Sequence, residues 1–238
     1  MGDKRQFFDL NKGSINKLMT LVTIITGQLT PLFVIHLVKA YSHTNDKIIS
    51  TWSTEDPNLI HVLKGHGFII ILSVPPANTL SFNMQAVAAK AALEKASELG
   101  YTHICKTRTD VFPNNHEYFL KITKDLYSEK IMAICGINTF ILDIFMVGPI
   151  SKMIKAYKTL QDKEENRFPE GAILENLFDK PHQSKEEIRE QINFCLPRCQ
   201  EHGLEVTWYR PPQWKKPYRS IPYMKITSEY CRDDFIWV

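Results

Sequence analysis

The sequence predicts an α/β domain on a mixed central sheet, and three observations carry that prediction. Short apolar runs alternate with helical segments up to residue 108. The segment 83–100, "NMQAVAAKAALEKASELG", is alanine-rich and ends in glycine. The apolar runs 131–135 and 139–148 then follow one another with no long helix between them. Alternation of strand and helix at this rhythm makes parallel βαβ units.

Taken in order, "LVTIITG" (21–27) is β-branched, stops at Gly27 and reads as a strand. "TPLFVIHLVKAYSH" (30–43) reads as a helix, with Thr30 as N-cap and Pro31 at the first helical position. "DKIISTW" (46–52) is a second strand, and "EDPNLIHVLKGHG" (55–67) a short helix closed by glycine. "FIIILS" (68–73) is apolar throughout and reads as a fully buried strand. Ser81 or Asn83 caps the alanine-rich helix and Gly100 stops it. "THICKTR" (102–108) is the fourth strand. Beyond it, helices are expected over 115–127, 151–160, 169–178 and 184–199, and a strand over 204–209. The proline-rich remainder, 210–238, should be irregular. One domain is expected, with residues 18–112 and 113–209 as its two halves and 210–238 as a tail.

Composition excludes several classes. Apolar residues make up 44% and charged residues 23% of 238, an ordinary globular balance, and a formal charge of +3 is too small to argue for nucleic acid. Five scattered cysteines without a Cys-x-x-Cys favour a reducing, cytoplasmic setting over a disulfide framework. Cys195, Cys199 and His202 have a spacing that suits zinc, but buried thiols on one helix face explain it more simply. The early run "LMTLVTII" (18–25) is far shorter than the about 20 residues a membrane span needs, and lacks a signal-peptide cleavage pattern. At most peripheral membrane contact is expected. The stretch 207–219 carries Arg210, Lys215, Lys216 and Arg219 among four aromatics and no acid. Single-stranded nucleic-acid surfaces look like this, as does a tail folded over a diphosphate or lying on an anionic membrane. A solvated wrap is the simplest account, and nucleic acid is not expected as a partner.

Ligands of such sheets bind at the carboxyl ends of the strands. That rim gathers Gly27 and Gln28, then Ser50 to Trp52, then Ser73 to Pro76, then Arg108 to Asp110. "GHG" (65–67) precedes a strand instead of following one, so it is no dinucleotide fingerprint. Walker, nucleophile-elbow and His-Glu-x-x-His motifs are missing. "RTD" (108–110) resembles the Asp-x-Asp motif of nucleotide-sugar glycosyltransferases with its first acid replaced. A departing diphosphate gains negative charge, and a cation must meet it. Asp110 as a metal ligand and Arg108 as a direct phosphate contact would serve that need; a structural Arg–Asp pair closing a strand is the alternative.

"STW" (50–52), "NMQ" (83–85), "KTRTD" (106–110), "LDIFMVG" (142–148) and "FPEGAIL" (168–174), in that order, resemble the WavE lipopolysaccharide-synthesis type of glycosyltransferase over roughly residues 20 to 180. The resemblance implies a GT-A-like fold, with a Rossmann-like half and an acceptor-binding half on one sheet. It implies a glycosyltransferase that moves a sugar from a nucleoside diphosphate to a glycan or glycolipid hydroxyl. Thr26, Gly27, Gln28, Ser50, Thr51, Trp52, Asn83 and Gln85 would line the nucleotide end. Lys106 and Arg108 would meet phosphate or ribose, Asp110 would hold Mn²⁺ or Mg²⁺, and Asp143 or Glu170 would be the catalytic base. Met84 inside Asn-x-Gln, and Leu142 and Ile144 around Asp143, depart from the family pattern. Two rivals from other classes are a sugar-nucleotide pyrophosphorylase and a non-catalytic glycan- or nucleic-acid-binding protein.

Overall fold

The computed structural model describes residues 19–77, 81–113, 131–135, 141–158, 169–179, 206–209 and 223–226. Strand β1 (Leu21–Thr26) leads into helix α1 (Pro31–Ala40), which starts as its sequence dictates: Thr30 is extended, and its hydroxyl accepts from the Phe33 amide. Strand β2 (Lys47–Trp52) is followed by α2 (Pro57–Gly65), capped by Asp56, whose carboxylate accepts from the Asn58 amide. Gly67, at φ +78°, turns the chain into β3 (Ile69–Ser73). Helix α3 (Ser81–Glu98) ends at Gly100, φ +82°, before β4 (His103–Arg108). Strands β5 (Val111–Pro113), β6 (Met132–Cys135) and β7 (Ile141–Pro149) follow. Then come helices α4 (Ile150–Ala156) and α5 (Pro169–Phe178), and strands β8 (Val206–Tyr209) and β9 (Tyr223–Ile226).

The central sheet runs β3-β2-β1-β4-β7-β6. Its first four strands are parallel, and β7 lies antiparallel to both β4 and β6. The fold is thus α/β with a mixed, mostly parallel sheet. One face carries α3, α4 and α5 over Val22, Ile24, Ile48, Ile104 and Met146. Here Ala86, Ala89, Ala92 and Ala96, each at most 1% exposed, form a smooth helix face. Small side chains let a helix sit close to a sheet without leaving voids. The other face carries α1 and α2 over Ile25 and Ile49. A second, three-stranded antiparallel sheet, β5-β8-β9, extends from the end of β4, and Phe112 of β5 packs on Phe33 and His36 of α1. Among the described residues no helix is long and apolar enough to cross a membrane.

Four expectations change. The run 69–73 is an edge strand, not a fully buried one: β2 is its only partner in the sheet, and Ile69 and Leu72 are 38% and 48% exposed. An apolar run signals a strand but not its place in the order. Helix α3 opens with Ser81 as its first residue, so Ser81 and Asn83 both lie within its first turn and neither is the residue before it. Val111–Pro113 forms a strand that the sequence did not announce, and Tyr223–Ile226 is a strand inside the stretch read as irregular. Both are short and held by distant partners: Val111 pairs with Trp208, and Trp208 with Met224. The helices expected over 115–127 and 184–199, the Cys195–Cys199–His202 group and the basic stretch from Arg210 lie outside the described residues.

Candidate active site

Because β2, β1 and β4 are adjacent and parallel, their carboxyl ends form one line. In register, Ser50 faces Thr26, and Thr26 faces Arg108. Beyond the strands the line continues, as the Gly27 amide donates to the Ser50 carbonyl at 3.3 Å and the Thr109 amide to the Thr26 carbonyl at 3.0 Å. The segments 26–28, 50–52 and 108–110 therefore share one rim. The first turn of α3 adjoins it, since α3 follows β3 and packs back across β1, β2 and β3.

The side chains divide between the two faces of the sheet. Alternation puts Ser50 and Thr26 on the face covered by α3, with Ile48 and Ile24 of that core two residues before them. Thr51, buried on the α1 face, donates to Glu55 Oε1 at 2.8 Å, and the Leu29 amide donates to the same oxygen at 3.0 Å. Glu55 thus ties the end of β2 to the segment after β1, a role that sequence reasoning missed. Its only signal was a carboxylate four residues after Thr51. Trp52 is 3% exposed, Asn83 2% exposed and Gln28 open to solvent. Gly27 adopts φ +133°, where a side chain is strained, and an added Cβ would stand 2.6 Å from Thr109 Oγ1. Gly27→Ala should cost about 1–3 kcal/mol of stability; urea denaturation checks this, and an unchanged midpoint would show that the loop readily rearranges.

Arg108 and Asp110 close β4 with a two-pronged pair. Arg108 Nε donates to Asp110 Oδ1 at 2.9 Å, and Nη2 to Oδ2 at 2.7 Å. The two side chains are 22% and 8% exposed. Lys106 lies two residues before Arg108 in β4, on the face covered by α3. It is fully buried, with its ammonium 5.6 Å from the centroid of the Tyr157 ring, which stacks on Phe82 of α3. Cys105, next to it in β4, is also buried, which pushes its thiol well above the usual range and leaves it protonated and inert.

Two polar atoms on the α3 side stand out. Ser50 Oγ and Gln85 Oε1 are buried and accept or donate no hydrogen bond. Buried polar atoms are nearly always paired, with protein, water or ligand. Ser50 lies two residues before the end of β2, and Gln85 is the fifth residue of α3.

The sheet also brings Asp143 to the same end of the molecule. Strand β7 is antiparallel to β4, with Thr107 opposite Phe145, so the backbone of Asp143 lies two residues further toward the rim. Glu170 is the second residue of α5, in a helix whose Ala172, Ile173 and Leu174 enter the α3-side core.

A divalent ion fits this donor set poorly. Among the described residues no three His, Cys, Asp or Glu side chains gather to hold a metal. The two described rim carboxylates are already engaged, Asp110 by Arg108 and Glu55 by Thr51 and Leu29. Mg²⁺ and Mn²⁺ favour several oxygen ligands in a near-octahedral shell.

No family model matches the chain, and no curated protein matches it either. The resemblance to WavE-type glycosyltransferases therefore rests on its five short motifs and has no support from a family match. Solved structures of similar shape include a cytidylyltransferase from Leptospira borgpetersenii (12% identical, TM-score 0.44, covering 76% of this chain and 75% of that one). A protein assigned as a glucose-1-phosphate thymidylyltransferase, from Bacillus anthracis, is 10% identical (TM-score 0.44, 76% and 85% covered). A 4-diphosphocytidyl-2C-methyl-D-erythritol synthase from Anaerococcus prevotii is also 10% identical (TM-score 0.45, 76% and 88%). At such identities and TM-scores these likenesses decide neither fold nor activity.

Proposed function

We propose that the chain is a nucleotide-sugar enzyme whose rim at β1, β2, β4 and the start of α3 holds a nucleoside diphosphate. The observation that carries this reading is the pair of buried, unpaired atoms Ser50 Oγ, near the carboxyl end of β2, and Gln85 Oε1, in the second turn of α3, which packs on β2. Strand carboxyl ends are where open α/β sheets take ligands, and helix N-termini favour anions. A base or ribose offers the donors and acceptors these two atoms lack. Arg108 supplies positive charge on the same line.

Sugar transfer to a glycan or glycolipid hydroxyl is the reaction favoured by the motif order and by the approach of Asp143 to the rim. Sugar-nucleotide pyrophosphorylase activity is the second reading, since it uses the same kind of α/β half. Such an enzyme should hold its triphosphate on a glycine-rich basic loop after β1, whereas "TGQLTPLF" (26–33) has one glycine and no cation. Product analysis separates them: transfer releases a nucleoside diphosphate, while the reverse pyrophosphorylase reaction consumes pyrophosphate and releases a triphosphate.

Ser50→Ala and Gln85→Met test the binding mode. Each should weaken nucleotide binding by about 2- to 10-fold, the worth of one neutral hydrogen bond. Neither should lower the melting temperature of the free protein, because an unpaired buried polar atom contributes nothing to it. Titration calorimetry with a panel of nucleotide sugars, beside thermal unfolding, reads both. Loss of stability with unchanged binding would mean that these atoms serve the core alone.

A further inference from the structure

The cation that meets the diphosphate needs an origin, and among the described residues Arg108 stands at the rim with suitable geometry. We infer that Arg108 itself is that cation, and that the diphosphate replaces Asp110 on its guanidinium without a divalent metal. This rests on the nucleotide-binding reading above.

The chemistry follows from the pair. A guanidinium presents parallel N–H groups that match a carboxylate and a phosphate equally well. Arg108 already makes that two-pronged contact, to Asp110 through Nε and Nη2 at 2.9 and 2.7 Å. Asp110 thus occupies the guanidinium edge with the same spacing of oxygens that a phosphate would bring. Arg108 is the more exposed partner, at 22% against 8% for Asp110, so it is the end of the pair that an incoming anion reaches first. It is also the last residue of β4, directly in register with Thr26 of β1, so its backbone is fixed while its side chain can exchange partners. For Asp110 to bind a metal, its carboxylate would have to leave the guanidinium, and among the described residues no three His, Cys, Asp or Glu side chains gather to form a shell. The position that carries the first acid of Asp-x-Asp in metal-dependent transferases is here a permanent cation. The charge a metal would bring is therefore already part of the chain.

The test is calorimetric titration of the full chain with pyrophosphate and with ADP, GDP, CDP, UDP and dTDP. Each is run once in excess EDTA and once with Mn²⁺ or Mg²⁺. The expected result is binding of at least one nucleotide with an affinity that differs by less than about threefold between the two conditions. In EDTA, Arg108→Gln should lose about 10- to 100-fold, the worth of a charge-assisted phosphate contact. Asp110→Asn should keep or gain affinity, because it removes the competing anion. If Arg108→Gln fails to fold, the double variant Arg108→Gln with Asp110→Asn retains a neutral hydrogen-bonded pair and should show the same loss. Binding that requires the metal, and that disappears in Asp110→Asn, would overturn the inference and restore Asp110 as a metal ligand while leaving the nucleotide reading intact. Binding of none of these ligands under either condition would instead overturn the nucleotide reading, and the inference with it.

Discussion

Replacing Tyr157 by alanine should destabilise the protein by about 3–5 kcal/mol, the range for deleting a buried aromatic ring. Tyr157 is 2% exposed and follows the end of α4. It joins three elements at once. Its ring stacks on Phe82 of α3, with centroids 6.5 Å apart and planes at 13°. The ammonium of Lys106 in β4 lies 5.6 Å from its centre. Its hydroxyl lies 3.7 Å from the sulfur of Met146 in β7. Alanine leaves a cavity between helix and sheet, and it also takes the aromatic face away from a fully buried lysine. Tyr157→Phe keeps the ring and its packing, so it should cost clearly less than the alanine variant. For a chain of this size, about 2–4 °C of melting temperature accompanies each kcal/mol, so the alanine variant should melt about 6–20 °C below wild type. Urea midpoints for the two variants check the claim. Equal losses would place the stabilisation in the hydroxyl and not in the ring.

Most of the first hundred residues were legible because their signals are local. Thr30 before Pro31, Asp56 before Pro57, and the glycines at 67 and 100 each mark a helix end through chemistry contained within a few residues. The rim was legible for the same reason: once four strands are in order, their carboxyl ends follow. What sequence could not supply depends on distant neighbours. The exposure of β3 is a matter of strand order, and β5 and β9 exist only through pairing with β8. The burial of Lys106 beside the ring of Tyr157, itself stacked on Phe82, was likewise not legible, because those partners are distant in sequence. "RTD" was compatible with a metal ligand and with a structural pair, and nothing in three residues distinguishes them. The distances between Arg108 and Asp110 show the pair.

The largest effect on turnover is expected from the acceptor-side base, if the enzyme transfers sugar with inversion. A carboxylate must then take the acceptor's proton as the new bond forms, and its removal costs about 10²-fold or more. Motif order nominated Asp143 and Glu170, and the strand register now weighs in favour of Asp143. Because β7 runs antiparallel to β4, the chain reaches Asp143 before Phe145, on the side where Arg108 and Asp110 leave the sheet. A base must lie within hydrogen-bond reach of the hydroxyl that attacks the donor sugar, and the donor's diphosphate is expected at Arg108. Glu170 instead opens α5, a helix set into the α3-side core. Asp143→Asn should therefore lose about 10²-fold or more in single-turnover transfer while binding the donor within about threefold of wild type. Glu170→Gln should lose much less. Parallel loss of donor affinity in Asp143→Asn would make it a binding residue and not a base. The reverse order of the two variants would return the role to Glu170. Wild-type transfer in both would remove the need for a carboxylate base, which points to transfer with retention of configuration.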